Sequence, residues 1–149
     1  MCPRNARSVR VRAARPGELA RCLAIRREVF VDEQGVPVDE EMDGRDGGCR
    51  HWLAFSGAEA VGTARLRATQ DGRLKAERVA VRRPFRGHGA GRALMQALEA
   101  AARARGQREL VLNAQVPVLP FYEGLGYRAE GPEFTEGGLP HRAMRKRLT

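Results

Sequence analysis

The sequence predicts one α/β domain, a mixed sheet with helices packed on its faces, and three observations predict it. Apolar stretches of strand length recur along the chain, at Val9–Val11, His51–Phe55, Ala60–Arg67, Leu74–Val81 and Glu109–Ala114, each bounded by turn residues. One longer stretch, carrying Leu94, Met95, Leu98, Ala101 and Ala102, repeats at helical spacing instead. At 149 residues the chain can bury about 68–70% of its unfolded surface in one core, so residues 1–149 form a single domain that needs no staple. Strands and helices that alternate in this way pack as layers.

Val9 and Val11 alternate with Arg10 and Arg12, which predicts a half-buried strand with a charged outer face. Pro16 and Gly17 end it, and a helix follows with Leu19, Cys22, Leu23, Val29 and Phe30 at helical spacing. Phe30 to Pro37 then mixes apolar and polar residues in an expected loop, of the kind that lines sites. The acidic segment Asp39, Glu40, Glu41, Asp43 and Asp46 has Gly44 placed as in a calcium loop, but its third position is Glu41 and its twelfth is Arg50. A calcium loop needs Asp or Asn at the third and a bidentate Glu at the twelfth. The segment is therefore expected to be a solvated loop able to steer a cationic substrate by its charge.

His51–Phe55 and Ala60–Arg67 read as two strands joined by a turn at Ser56–Glu59, and Asp71-Gly72 turns the chain into the strand Leu74–Val81. The long helix closes at Arg103, Arg105 and Gly106, with cations in its last turn and glycine beyond it. After the strand Glu109–Ala114, Pro117 and Pro120 suit the first turn of a helix running to Gly124 or Gly126. Tyr127–Glu136, Gly137-Gly138 and His141–Leu148 form a closing hairpin, whose edge could receive a second copy.

Composition excludes several classes of function. With 42% hydrophobic and 30% charged residues the chain is an ordinary soluble globule. Its formal net charge of +9 comes almost wholly from arginines scattered along its length, with Lys75 and Lys146 the only lysines. Aromatics are few and not interleaved with the cations, so no stacking platform for nucleic acid is expected. Cys2, Cys22 and Cys49 have neither disulfide nor zinc spacing, and free thiols point to a reducing cytoplasm. The arginine-bearing N-terminus has no apolar signal core, and no run is long enough to cross a bilayer.

The chemistry concentrates in Val79 to Leu94. A short apolar run gives way to an arginine-rich turn broken by Gly87, Gly89 and Gly91, which opens into the long helix. Glycines there remove side chains so that successive amides can converge on one ligand. The first amides of a helix lack internal partners and carry the positive end of its dipole, so the ligand should be an anion, favoured by about 0.3–1 kcal/mol or ~2 in a sheltered site. Arg86 and Arg92 add charge beside it. The Walker loop is excluded because no Gly-Lys-Ser/Thr ending exists. The dinucleotide fingerprint is excluded because Arg92 stands where its third glycine belongs and Glu109 precedes the next strand instead of following it.

What remains, Arg86-Gly87-His88-Gly89-Ala90-Gly91, resembles the Arg/Gln-x-x-Gly-x-Gly/Ala signature of the GNAT acetyltransferases. Leu112-Asn113-Ala114-Gln115 and the run Phe121-Tyr122-Glu123-Gly124-Leu125-Gly126-Tyr127 resemble the second half of the same domain. The Phe30–Pro37 loop, Gly131-Pro132-Glu133-Phe134 and Pro140-His141-Arg142 are similar to the small bacterial ElaA-like branch. The resemblance covers nearly the whole chain. It implies a largely antiparallel sheet of six or seven strands with helices on both faces.

It also implies acetyl-CoA as cosubstrate and a primary amine, on a small molecule or a protein, as acceptor. Carried over by position, the backbone of Val79, Ala80 and Val81 would pair with the pantetheine arm. Arg86, Gly87, His88, Gly89, Ala90, Gly91 and Arg92 would hold the pyrophosphate, mostly through amides. Asn113 would contact the cofactor arm or acetyl end, and Tyr122 would face the sulfur. Gln115 stands where many members have Asn. Tyr122 is suited to protonate the departing thiolate, because phenol and thiol pKa values, about 10 and 8.5, are close. For the base Glu77 is named, two residues before Val79 and so expected on its face; pairing with an arginine is its equal alternative. Phe30, Glu33, His51, Glu133 and His141 are the expected acceptor contacts, with Glu33, His51 and His141 further candidates for the base. A non-catalytic acyl-CoA-binding module is the alternative reading.

Overall fold

The computed structural model describes residues 8–148; Cys2 and the N-terminal arginines lie outside them. The elements in order are β1 (Val9–Ala13), α1 (Leu19–Arg26), a π-helical turn (Arg27–Glu33), α2 (Val38–Glu41), β2 (Arg50–Ser56), β3 (Glu59–Ala68) and β4 (Leu74–Val81). Then follow α3 (Ala90–Ala104), β5 (Glu109–Gln115), α4 (Leu119–Gly124), β6 (Arg128–Glu136) and β7 (Leu139–Arg147). The strands make one seven-stranded sheet in the order β1-β2-β3-β4-β5-β7-β6. Only the β4–β5 pair is parallel.

Both faces of the centre of the sheet are covered, which explains the continuous apolar run of β2. Trp52 and Ala54 pack on one side with Leu94, Met95, Leu98 and Ala102 of α3, while Leu53 and Phe55 pack on the other with Cys22 and Ile25 of α1 and Val29. Burying each such large side chain stabilises the fold by about 1.5–3 kcal/mol. The charged face of β1 is braced as well: Arg12 binds Glu18 with two bonds of 2.7 and 2.9 Å and lies 4.8 Å over the Phe55 ring.

The expected loop Phe30–Pro37 is shorter than the sequence suggested. Nothing before Gly35 breaks a helix, so α1 continues as a wide turn through Glu33, with the Gln34 amide donating to the Val29 carbonyl at 3.2 Å. Gly35, at φ 74°, ends it.

The acidic segment is solvated only in part: Asp39 and Glu40 are exposed, while Glu41, Asp43 and Asp46 are tied to buried arginines. Arg26, fully buried, holds Glu41 at 2.8 Å and Asp46 at 2.6 Å, and Arg65, also fully buried, holds Asp43 at 2.8 Å, Asp46 at 3.0 Å and Glu77 at 2.6 Å. These arginines fold the segment down onto the α1 face of the sheet. Removing one partner of such a buried pair would leave an uncompensated charge, at about 3–5 kcal/mol.

β4 positions everything that follows. Thr63 pairs with Ala80 and Arg65 with Glu77, so Arg78 and Val79 together face Ala64 alone. This is a β-bulge, and Arg78 takes φ 55° in it, the one non-glycine residue with positive φ among the described residues. The bulge reverses the alternation of the strand. Ala76 packs in the α3-side core and Ala80, four residues on, in the α1-side core. Glu77 therefore shares the face of Arg65 instead of the face of Val79 and Val81, contrary to the period-two expectation. Beyond Lys75↔Val111 and Ala76↔Leu112 the ladder between β4 and β5 stops, and a gap opens in the sheet.

Candidate active site

A cavity of about 660 Å³ fills that gap. β4 from Ala76 to Val79 and Val81 forms one wall, β5 from Leu112 to Gln115 the other, and Tyr122 of α4 closes the interior. Phe30 approaches from the first helix, Gln34 and Val36 from the chain just after it, and Glu136, Gly137, Leu139 and His141 from the closing hairpin. Gln115 donates to Gln34 at 2.8 Å, joining the two sides.

At the end of β4 the chain turns through Gly87 and Gly89, both in the left-handed region at φ 82° and 89°, and Gly89 caps α3. The first amide to find a backbone acceptor is Ala93, bonded to the Gly89 carbonyl at 3.0 Å. The six amides from Gly87 to Arg92 have none among the described residues, which leaves a row of backbone donors at a helix N-terminus. Arg92 is exposed beside it. Arg86 is committed elsewhere: it grips Glu33 and donates to the Val81 carbonyl at 2.8 Å, bracing the loop more than adding free charge. Gly91 serves packing, because a Cβ there would come 3.1 Å from Cζ of Phe121. The amides thus fit a pyrophosphate.

Tyr122 is 8% exposed, edge-on to Phe121 and Tyr127, and its hydroxyl has no hydrogen-bond partner among the described residues. Burial pushes its phenol well above the ordinary tyrosine range. The phenol therefore stays protonated at any working pH, but its pKa lies further above that of a thiol than the ordinary phenol value does, which makes it a weaker acid.

The expected base does not fit its role. Burial pushes the Glu77 carboxyl up, but the Arg67 hydrogen bond and the charge and hydrogen bond of Arg65 outweigh it and hold the group at about 2. Such a carboxylate is too weak a base to take a proton from an ammonium. Glu33 belongs to the Arg86 brace, and the same guanidinium lowers its carboxyl. His51 does not reach the cavity; its Nε2 donates to the Asp46 carbonyl at 3.0 Å, inside the arginine network. Glu133 is exposed in an irregular stretch of β6 where the ladder with β7 is broken.

His141 remains. Its Nδ1 lies 2.8 Å from the Leu139 carbonyl and must carry the hydrogen there, which leaves Nε2 as the acceptor in the neutral ring. Glu136 Oε2 stands 3.8 Å from that Nε2, and Asn113 holds Glu136 Oε1 at 3.3 Å. Glu136 and Gln34 were missed in the sequence because only the fold brings the closing hairpin and the first helix to the gap. No group of three or more His, Cys, Asp or Glu among the described residues is arranged to hold a metal ion. No described helix is long and apolar enough to cross a membrane.

Residues 18–148 match the acetyltransferase (GNAT) domain family. The uncharacterized N-acetyltransferase YjcF of Bacillus subtilis is 40% identical over 130 residues, covering 87% of this chain and 92% of that protein. Escherichia coli ElaA superposes with a TM-score of 0.80 at 28% identity, over 93% of this chain and 99% of ElaA. An acyl-CoA N-acyltransferase from Pseudomonas aeruginosa does so with a TM-score of 0.79 at 28% identity, again over 93% and 99% of the two chains.

Proposed function

The chain belongs to the GNAT acetyltransferases, and on that premise we propose that it transfers an acetyl group from acetyl-CoA to a primary amine by direct attack in a ternary complex. Acetyl-CoA supplies an activated thioester. The unpartnered amides from Gly87 to Arg92 are the observation that carries this reading, since they seat the pyrophosphate. The β4 backbone from Val79 to Val81 has lost its β5 partner and offers ladder groups to the pantetheine arm, apart from the Val81 carbonyl that Arg86 occupies. Asn113 stands on the opposite wall.

An alkyl ammonium with a pKa of about 10 must shed a proton before it can attack. His141 Nε2 accepts it, and Glu136 beside that nitrogen compensates the charge that forms. Tyr122 delivers a proton to the departing thiolate. Tyr122, with its unpartnered hydroxyl, lines the same cavity as His141, so acid and base can serve one reaction centre. The free Cys22 and Cys49 support a cytoplasmic setting.

The test is thiol release from acetyl-CoA across a panel of amines, together with calorimetric titration of acetyl-CoA. Binding with amine-dependent release is expected. Binding without release under every amine would leave the sensing module, and no binding would remove the assignment of the loop.

A further inference from the structure

Resting on the acetyl-transfer reading above, we infer that the acceptor is a small linear amine carrying a second ammonium group, a di- or polyamine held at the cavity rim by Asp39, Glu40 and Glu136. The chain as a whole is basic, at +9, yet six carboxylates line its cavity against three Lys or Arg cations. Three of the six are neutralised internally, Glu41 by Arg26 and Arg78, Asp43 and Glu77 by Arg65. The three cations are committed as well, Lys75 to Glu77, Arg78 to Glu41 and Arg86 to Glu33. Asp39, Glu40 and Glu136 are left with no lysine or arginine at ion-pair distance among the described residues.

These carboxylates come from two segments that meet over the cavity. A Cβ on Gly137 would lie 3.4 Å from Cγ1 of Val36 and 3.9 Å from Oε2 of Glu40, which sets Glu136 and α2 side by side as a roof. The interior points to a ligand independently of the rim charges, because Tyr122 is 8% exposed, lines the cavity and has no partner for its hydroxyl among the described residues.

The charge excess has a chemical use only for an acceptor with more than one cation. A reacting amine must become neutral to attack and so loses its attraction to the rim, whereas a second ammonium keeps its charge throughout and anchors the chain. During transfer the acceptor nitrogen forms the C–N bond as the thioester C–S bond breaks. Of the two protons the ammonium loses, one passes through His141 to solvent, and the other replaces the proton that Tyr122 gives to the sulfur.

Thiol release is compared for 1,6-diaminohexane and hexylamine, which share a carbon chain and differ in one charge. The diamine is expected to have a kcat/KM about tenfold higher, and Asp39→Asn/Glu40→Gln to cut that advantage to about twofold through KM with kcat kept. Equal use of the two amines, an undiminished preference in the double variant, or better turnover of a lysine-rich peptide would each overturn the inference. If no amine releases thiol, the acetyl-transfer reading fails on its own. Calorimetry of 1,6-diaminohexane with the free protein then decides the rim site: binding weakened in the double variant sustains it, and no binding to the wild type removes it.

Discussion

Arg86 and Glu33 meet in parallel, Nη1 to Oε2 at 2.7 Å and Nη2 to Oε1 at 2.8 Å, and this pair ties the glycine loop to the end of the first helix. Glu33→Gln would leave the guanidinium without its charged partner. Because the pair is partly exposed, the loss should be modest, about a two- to fivefold rise in the acetyl-CoA Kd by calorimetry. No change would mean that the loop holds its shape without the brace.

Gly89→Glu should abolish acetyl-CoA binding. The substitution puts a side chain at φ 89°, at a cost of about 1–2 kcal/mol, and a negative charge at the helix N-terminus where the anion should sit. Undiminished binding would remove the phosphate assignment. Gly91→Ala is expected to act differently, by pushing the Phe121 ring from a 3.1 Å contact, and should lower Tm more than it lowers affinity.

Tyr122→Phe should reduce kcat by about 10²–10⁴-fold with little effect on acetyl-CoA Kd. Since burial pushes the phenol up, the wild-type rate should show no alkaline loss caused by Tyr122. Its pH profile and that of the variant should therefore share the same limbs. An unchanged kcat would take the acid role from this residue.

Glu77 gives a prediction about stability. Its folded carboxyl is held at about 2, below the reference value of 4.5. A depressed carboxyl contributes stability that is present above its unfolded pKa and is lost as pH falls toward the folded value. Denaturant unfolding should thus show the protein losing on the order of 2–3 kcal/mol from this group between pH 4.5 and 2. Glu77→Gln should be less stable at pH 7 and flatter across that window, and an equally steep loss in the variant would show that other groups carry the acid sensitivity.

Much of the fold was legible in the sequence because it rests on local patterns. Alternation placed β1, the unbroken apolar runs placed the central strands, and the helical spacing of Leu94, Met95 and Leu98 placed α3. The turn of unpartnered amides was legible for a similar reason, since glycines followed by a helix start mark where amides lack partners. The errors share another cause. Arg26 and Arg65 look like surface cations in a linear reading, and only tertiary packing turns them inward to gather Glu41, Asp43, Asp46 and Glu77. His51 and His141 look alike as strand histidines, yet one is locked in that network and the other faces the cavity. Glu136 could not be singled out because its neighbours in space, Asn113 and His141, come from two other strands.

One residue of β4 is surplus to its pairing with β3. Deleting Arg78 would let Val79 stand alone opposite Ala64 in a regular ladder, with Val79 and Val81 still toward α3 and Ala80 still toward α1. What it would remove is the local bend of β4, which sits where the strand parts from β5. One more residue here, unless a second bulge absorbed it, would turn Val79 to Val81 over, whereas losing Arg78 would cost the bend and keep the faces.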